Sequence, residues 1–256
     1  MNNREFVRKI ANSAVLYPDV TFAKGKRRVY TCVNPFSYHF VRQHQKLYES
    51  MDGLFVDGMT MCWFIRLLWG KRIPRLSFDM SGIAVDLFAY LNDTATDRSI
   101  YFLGTRQDVL DKTINQFSNS YPNMNIAGYR NGYFIDTDDR RDAINEIIKT
   151  NSDFTVIGMG SPLQEQFAID LKNAGYNGIV FTCGGFLHQS SNNINYYPKW
   201  VNKYNLRAFY RLFHEKGLWK RLYNVLVEFP FLFTWDTIAT KCRSMIYINK
   251  RNAPNI

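Results

Sequence analysis

The chain has 256 residues, 46% of them hydrophobic, and a formal charge of +10, enough length for one large α/β domain, with or without an appendage, around a full core. No uncharged apolar run approaches the roughly eighteen residues of a spanning helix, and the charged opening MNNREFVRKI has no secretory h-region. Cys32, Cys62, Cys183 and Cys242 show neither C-x-x-C nor zinc-type spacing and read as reduced core thiols of a cytoplasmic protein. The charge is uneven: residues 199–251 carry eleven Lys/Arg and three acids, so +8 of the total sits there.

Residues 1–27 offer a short helical pattern near 6–16 and a basic loop at 24–28. Residues 29–33 (VYTCV) read as a buried strand, followed by Asn34-Pro35 and a helical pattern through Phe36, Phe40, His44 and Leu47. GLFV at 53–56 is a second strand ending at Asp57-Gly58, after which Met59, Trp63 and Leu67 line a helix that stops at Gly70. A connection containing Pro74 leads to a helix capped by Asp79 or Ser81 and carrying Ile83, Leu87 and Leu91. SIYFL at 99–103 is a strand, and Thr105 to Asp108 has the form of a capping box opening the next helix. Residues 125–129 form a further strand, Asn131-Gly132 a turn, and 136–149 a helix. Asp136-Thr137-Asp138 has the D-x-D form that holds a metal in some transferases, but its place before a helix favours capping.

Residues 154–185 carry the strongest pattern: strand, Gly158-Met159-Gly160, helix, strand and Gly184-Gly185 in unbroken succession. Ser161-Pro162-Leu163-Gln164 reads as a capping box with proline at the first helical position, and Leu163, Phe167, Leu171 and Ala174 form a core stripe ending at Gly175. A helix start at a strand end offers amide donors to a diphosphate; a tight turn without a ligand has the same appearance. The alternation predicts a Rossmann-like α/β fold, a mostly parallel sheet with helices on both faces, whose ligands bind at the strand carboxyl ends. Beyond residue 195, Trp, Tyr and Phe interleave with Arg and Lys, up to the apolar run 229–233. Such a mixture suits the headgroup layer of an anionic membrane; the alternative is a helix packed on the core. The division expected is a catalytic core at 1–195 and a basic, aromatic, helical appendage at 196–256.

In this order, VYTCVNP, GLFVDGMTMCW, IPRLSFD, SIYFLGTRQDVLDKTINQF, AGYRNGYF, VIGMGSPLQEQF, CGGF and NLRAFYRLF resemble the WecG/TagA/CpsF glycosyltransferases over residues 28–225. The resemblance implies inverting, metal-independent transfer of an N-acetylhexosamine or related sugar from a UDP donor to an undecaprenyl-diphosphate-linked acceptor, in antigen, capsule or teichoic acid synthesis. It also implies peripheral attachment to the inner face of the cell membrane, with self-association into a homo-oligomer within its scope.

Residue by residue, the resemblance makes Asp57 the general base and Asn34 a donor-sugar contact. The family's hydroxyl residue two places before that asparagine is here Cys32, with Thr31 one place removed; Thr31 is placed among the donor contacts, and the displacement points to a different donor sugar. Arg75 is implied at phosphate, and Gly158, Gly160, Ser161 and Gln164 at the UDP cradle. Glu165 is given to uracil, ribose or capping, Gly184 and Gly185 to the nucleotide, and Arg207, Arg211 and Arg221 to the lipid diphosphate. His188 receives no role. No metal, other cofactor or nucleic acid partner is expected. A nicotinamide-dependent oxidoreductase is the rival enzyme, weakened because no G-x-G-x-x-G follows the strand; a non-catalytic membrane-surface or nucleic-acid-binding protein is the other rival.

Overall fold

The structure, a computed structural model, describes residues 5–12, 22, 27–191, 201 and 222–251, with side chains described from Phe6 as far as Arg243. Six strands form one parallel sheet: β1 (Arg28–Val33), β2 (Gly53–Val56), β3 (Ser99–Gly104), β4 (Asn125–Arg130), β5 (Phe154–Gly158) and β6 (Ile179–Thr182), in the order β2-β1-β6-β5-β3-β4. Helices covering both faces leave β2, β5 and β6 wholly buried, which is why they read as unbroken apolar runs. The fold class is the one the sequence predicts.

The period-two alternation of the strands sorts the core into two layers. Val29, Val33, Leu54, Val56, Tyr101, Leu103, Ile157 and Val180 face one layer. It is completed by α1 (Glu5–Ala11), α2 (Tyr38–Gln43), α3 (Gln45–Ser50), α4 (Met59–Trp69), α7 (Thr137–Thr150) and α8 (Leu163–Asn173). Tyr30, Phe55, Ile100, Phe102, Phe154, Val156, Ile179 and Phe181 face the other, against α5 (Ile83–Asn92), α6 (Gln107–Ser120) and α9 (Phe186–Gln189). The helices α6 and α8 leave the neighbouring strands β3 and β5 for opposite faces of the sheet.

Several local expectations change. The helical pattern after Pro35 divides at His44 into α2 and α3. Of the pattern at 6–16, α1 ends at Ala11, and residues 13–21 lie outside the described residues. The cap of α6 is Arg106, with no side-chain cap bond, so Thr105 does not form the expected box. Asp136 does cap α7, its carboxylate accepting from the Asp139 amide at 2.8 Å. Cys62 is buried and Cys32 and Cys183 are half-buried, but Cys242 is exposed and so is not a core thiol.

At the C-terminal end, a π-helical turn (Asn224–Glu228) runs into α10 (Phe229–Arg251). One face of α10 belongs to the core. Phe229 and Phe233 are buried against Tyr38, with ring centroids 5.4 and 5.5 Å away, and Phe229 also meets Phe64 of α4. Beside them the buried Asp236 accepts from the Tyr38 hydroxyl at 2.9 Å and from Arg42 Nε at 2.8 Å. The opposite face leaves Phe231, Trp235 and Ile238 more than half exposed. Among the described residues no helix is long and apolar enough to cross a membrane.

Candidate active site

The strand order places the expected site residues in one row. Asp57 follows β2, Asn34 follows β1, Gly184 lies just past β6, and Gly158 ends β5, so the carboxyl ends of four adjacent strands supply them. At roughly 4.8 Å per strand the row spans about 14 Å. The Asp57 amide donates to Val33 O at 2.8 Å, fixing it level with the end of β1. Its side chain is 27% exposed.

Asn34 Oδ1 accepts from the Ser37 amide at 2.8 Å, which turns the chain into α2. Its Nδ2 makes no hydrogen bond among the described residues, leaving a donor at the cleft. Arg75 lies on Asp57 rather than standing free for a phosphate: Nε and Nη2 both donate to Asp57 Oδ1, at 3.1 and 2.9 Å. The segment carrying Arg75 is anchored to the edge of β2 by the Leu76 amide on Val56 O at 2.8 Å.

The two glycine turns face each other across β5 and β6. Gly160 at φ +79° and Gly184 at φ +56° adopt left-handed backbone, and a Cβ built at either would enter open space. Glycine thus permits these conformations and leaves room for a ligand to approach the backbone. Gln164, almost fully buried, joins the turns: the Gly184 amide donates to Gln164 Oε1 at 3.1 Å, while Gln164 Nε2 donates to Glu165 Oε1 at 2.8 Å and Ser161 Oγ at 3.3 Å. Gly185 precedes α9, whose short helix includes His188.

The capping box expected at Ser161 does not form. Pro162 is the cap of α8, and the Ser161 hydroxyl donates instead to Glu165 Oε1 at 3.1 Å. The reason is a buried competitor: Glu165 is fully enclosed, and its Oε1 draws in the hydroxyls of Ser161 and Thr31. Thr182 donates to Thr31 Oγ1 at 2.6 Å, and Thr31 donates to Glu165 Oε1 at 2.9 Å. Thr31 and Glu165 therefore hold the cradle from beneath; neither is open to a nucleotide or sugar as expected. Strand alternation explains this, since Thr31 points to the α8 layer and Cys32 to the other. Leu163, expected in the core stripe, is 63% exposed at the first turn of α8, and Phe167, Ala168 and Leu171 make the buried face.

Burial raises the Glu165 carboxyl above its usual value, outweighing the hydrogen bonds from Gln164, Thr31 and Ser161 that favour the charged form. Its Oε2 and the Tyr48 hydroxyl are buried without hydrogen-bond partners, and burial, then the charge of Glu165, pushes the Tyr48 phenol up. A raised carboxyl binds its proton more tightly when folded, so its contribution to stability is present below the usual value of 4.5 and lost as pH rises through the folded value. Glu165→Gln removes that loss. The difference in Tm between variant and parent is expected to grow in the variant's favour from about pH 4.5 upward. Thermal melts at half-unit pH steps check this, and a constant difference would show that Glu165 stays ionised.

Arg207, Arg211 and Arg221 lie outside the described residues. Sequence reasoning missed Ser77 and gave Asp79 only a capping role; both converge on Arg75, the Arg75 Nη2 donating to Ser77 Oγ at 3.0 Å and the Ser77 hydroxyl to Asp79 Oδ2 at 2.8 Å. The alternation Arg75-Leu76-Ser77-Phe78-Asp79, with Leu76 and Phe78 buried, was the available signal.

The family model for the Glycosyl transferase WecG/TagA/CpsF family matches residues 10–243. A UDP-Gal:alpha-D-GlcNAc-diphosphoundecaprenol beta-1,4-galactosyltransferase of Shigella boydii is 29% identical over 202 residues, covering 79% of this chain and 82% of that protein. An N-acetylglucosaminyldiphosphoundecaprenol N-acetyl-beta-D-mannosaminyltransferase of Bacillus subtilis (strain 168) is 27% identical, covering 77% and 75%. Its namesake in Bacillus spizizenii is 25% identical over 231 residues, covering 88% and 86%. The family match takes in every site residue above, and with it the oxidoreductase and non-catalytic alternatives fall away: the chain is a glycosyltransferase and belongs to the WecG/TagA/CpsF family.

Proposed function

We propose that this protein moves a hexose or hexosamine from a UDP donor to the sugar of an undecaprenyl-diphosphate-linked GlcNAc, with inversion and without a metal, in bacterial surface polysaccharide assembly. The observation that carries this reading is the row of Asp57, Asn34 and two open glycine turns along four adjacent strand ends. The activities for which the relatives are named, galactosyl and N-acetylmannosaminyl transfer to GlcNAc-diphosphoundecaprenol, support the acceptor and bound the donor class. In this reading the backbone of the turns at Gly158-Gly160 and Gly184-Gly185 receives UDP, Asn34 meets the donor sugar, and Asp57 takes the proton of the acceptor hydroxyl as it attacks the anomeric carbon. Arg207, Arg211 and Arg221 receive the lipid diphosphate, for which an arginine fork is suited.

The test is UDP release from UDP-Gal, UDP-ManNAc and UDP-GlcNAc, with and without a short-chain polyprenyl-diphosphate-GlcNAc. Acceptor-dependent release from one donor names the sugar; no release from any of them rejects this acceptor.

The reading also places the protein on the inner membrane face. The outward side of the C-terminal helical segment exposes Leu226, Val227, Phe231, Trp235 and Ile238, and neighbouring α4 exposes Trp63 and Leu67. Residues 59–74 contain Arg66, Lys71 and Arg72 and no acid. Aromatic side chains among cations suit an anionic headgroup layer. The double variant Phe231→Ser/Trp235→Ser is expected to reduce pelleting with phosphatidylglycerol vesicles by at least about fivefold while leaving Tm unchanged, since both positions are exposed. Undiminished pelleting would place the membrane contact elsewhere.

A further inference from the structure

We propose that an exposed apolar stripe on α4 holds the first isoprene units of the acceptor's polyprenyl chain, a step that rests on the acceptor proposed above. α4 is apolar on two faces. Met61, Cys62 and Ile65 are buried in the core. Met59, Trp63 and Leu67 share a second face through their four-residue spacing, and the structure turns that face outward, with Trp63 62% and Leu67 77% exposed. A surface helix of a globular fold needs only one apolar face. The second calls for an occupant of its own.

The position of the stripe selects that occupant. β2 is an edge strand, and Gly58, at φ +138°, turns the chain from Asp57 at the end of β2 directly into α4. The stripe therefore begins beside the proposed base, at the end of the row farthest from the Gly158 turn assigned to UDP. An acceptor whose hydroxyl reaches Asp57 carries its sugar and diphosphate between that hydroxyl and the chain. At 1.5 Å per residue, Trp63 and Leu67 stand about 6 and 12 Å along the helix axis from Met59, so the chain meets them once the head group has been passed.

Charge and continuity favour the same occupant. Arg66 is exposed between Trp63 and Leu67, Lys71 and Arg72 follow the helix, and residues 59–74 contain no acid. Cations set along an apolar stripe fit an apolar chain that ends in a diphosphate. α10 is held against α4: Phe229 meets Phe64 with ring centroids 5.6 Å apart, Trp69 Nε1 donates to Thr237 Oγ1 at 3.3 Å, and Lys241 Nζ donates to Leu68 O. A chain that follows α4 away from Asp57 thus arrives beside the helix proposed to meet the bilayer, where the remainder of an undecaprenyl chain lies.

The test is the acceptor KM in solution, without vesicles, for GlcNAc-diphospho-lipids bearing a geranyl or a geranylgeranyl chain, each below the concentration at which it forms micelles. In the parent the longer chain is expected to lower the acceptor KM about tenfold, because its added apolar surface leaves water on the stripe. Trp63→Gln/Leu67→Gln retains the fold, since both positions are exposed and glutamine suits a helix. In that variant the gain is lost: the KM for the longer chain rises to that for the shorter, while the donor KM holds. A gain retained in the variant, or absent from the parent, overturns the inference. Loss of the gain in Phe231→Ser/Trp235→Ser with its retention in Trp63→Gln/Leu67→Gln overturns it as well, and seats the chain on α10. A parent that shows no acceptor-dependent UDP release with any donor is a separate failure, that of the acceptor on which this step rests.

Discussion

Asp57→Asn is expected to lower kcat/KM by about 10²–10⁴-fold, the range a positioned general base supplies, or about 3–5 kcal/mol of transition-state stabilisation. The substitution preserves shape, and an asparagine oxygen can still accept from Arg75 Nε and Nη2, which now meet at Asp57 Oδ1. It removes only the capacity to take a proton. UDP affinity should stay within about threefold, because Asp57 stands three strands from Gly158 in the order β2-β1-β6-β5 and the nucleotide contacts proposed lie at the far end of the row. Steady-state UDP release and calorimetric UDP binding check the two halves together. Loss of both would mean that the variant disturbs the cleft as a whole, and retention of both would move the base elsewhere. Asp57→Ala is the less informative variant, since it also removes the oxygen on which Arg75 Nε and Nη2 meet.

The contrast between what the sequence revealed and what it concealed follows the range of the interactions involved. All six strands were legible: in β1, β2, β3, β5 and β6 helices on both faces force the residues to be mostly apolar, while the edge strand β4, with no buried residue, stood out by its place between a helix and the Asn131-Gly132 turn. The helices were legible where period 3.6 prevailed, as in α5 and α6, and less so after Pro35, where His44 interrupts α2 and α3. Side-chain partners were another matter. Ser161 has the local form of a cap, but its hydroxyl is captured by Glu165 one helical turn on, whose burial depends on packing against Thr31 of β1, 134 positions away. Arg75 is implied at phosphate by the resemblance, whereas its partner Asp57 is brought to it by the edge of β2. The site row itself was recoverable as a set of strand ends. Their adjacency required the strand order, in which β6 intervenes between β1 and β5.

Phe233→Ala should destabilise the protein by about 3–5 kcal/mol, the usual cost of deleting a buried phenylalanine ring and leaving its cavity. For a domain of this size that lowers Tm by about 10 °C, at roughly 2–4 °C per kcal/mol. The ring is fully buried, stacks on Phe229 at 5.3 Å and meets the edge of Tyr38 at 5.5 Å. Tyr38 in turn donates to buried Asp236, so the cavity would open beside a hydrogen-bonded carboxylate. Phe231→Ala, two positions away on the 70% exposed face, should change stability by less than about 0.5 kcal/mol. A helix that served only to meet lipid would show no such contrast in solution, because neither ring would have protein to lose. The thermal melt of each variant, set against its vesicle pelleting, assigns each face its task. Phe233 should govern Tm and Phe231 the membrane, and a melt in which the two variants coincide would show that α10 leaves the core when the protein is free of lipid.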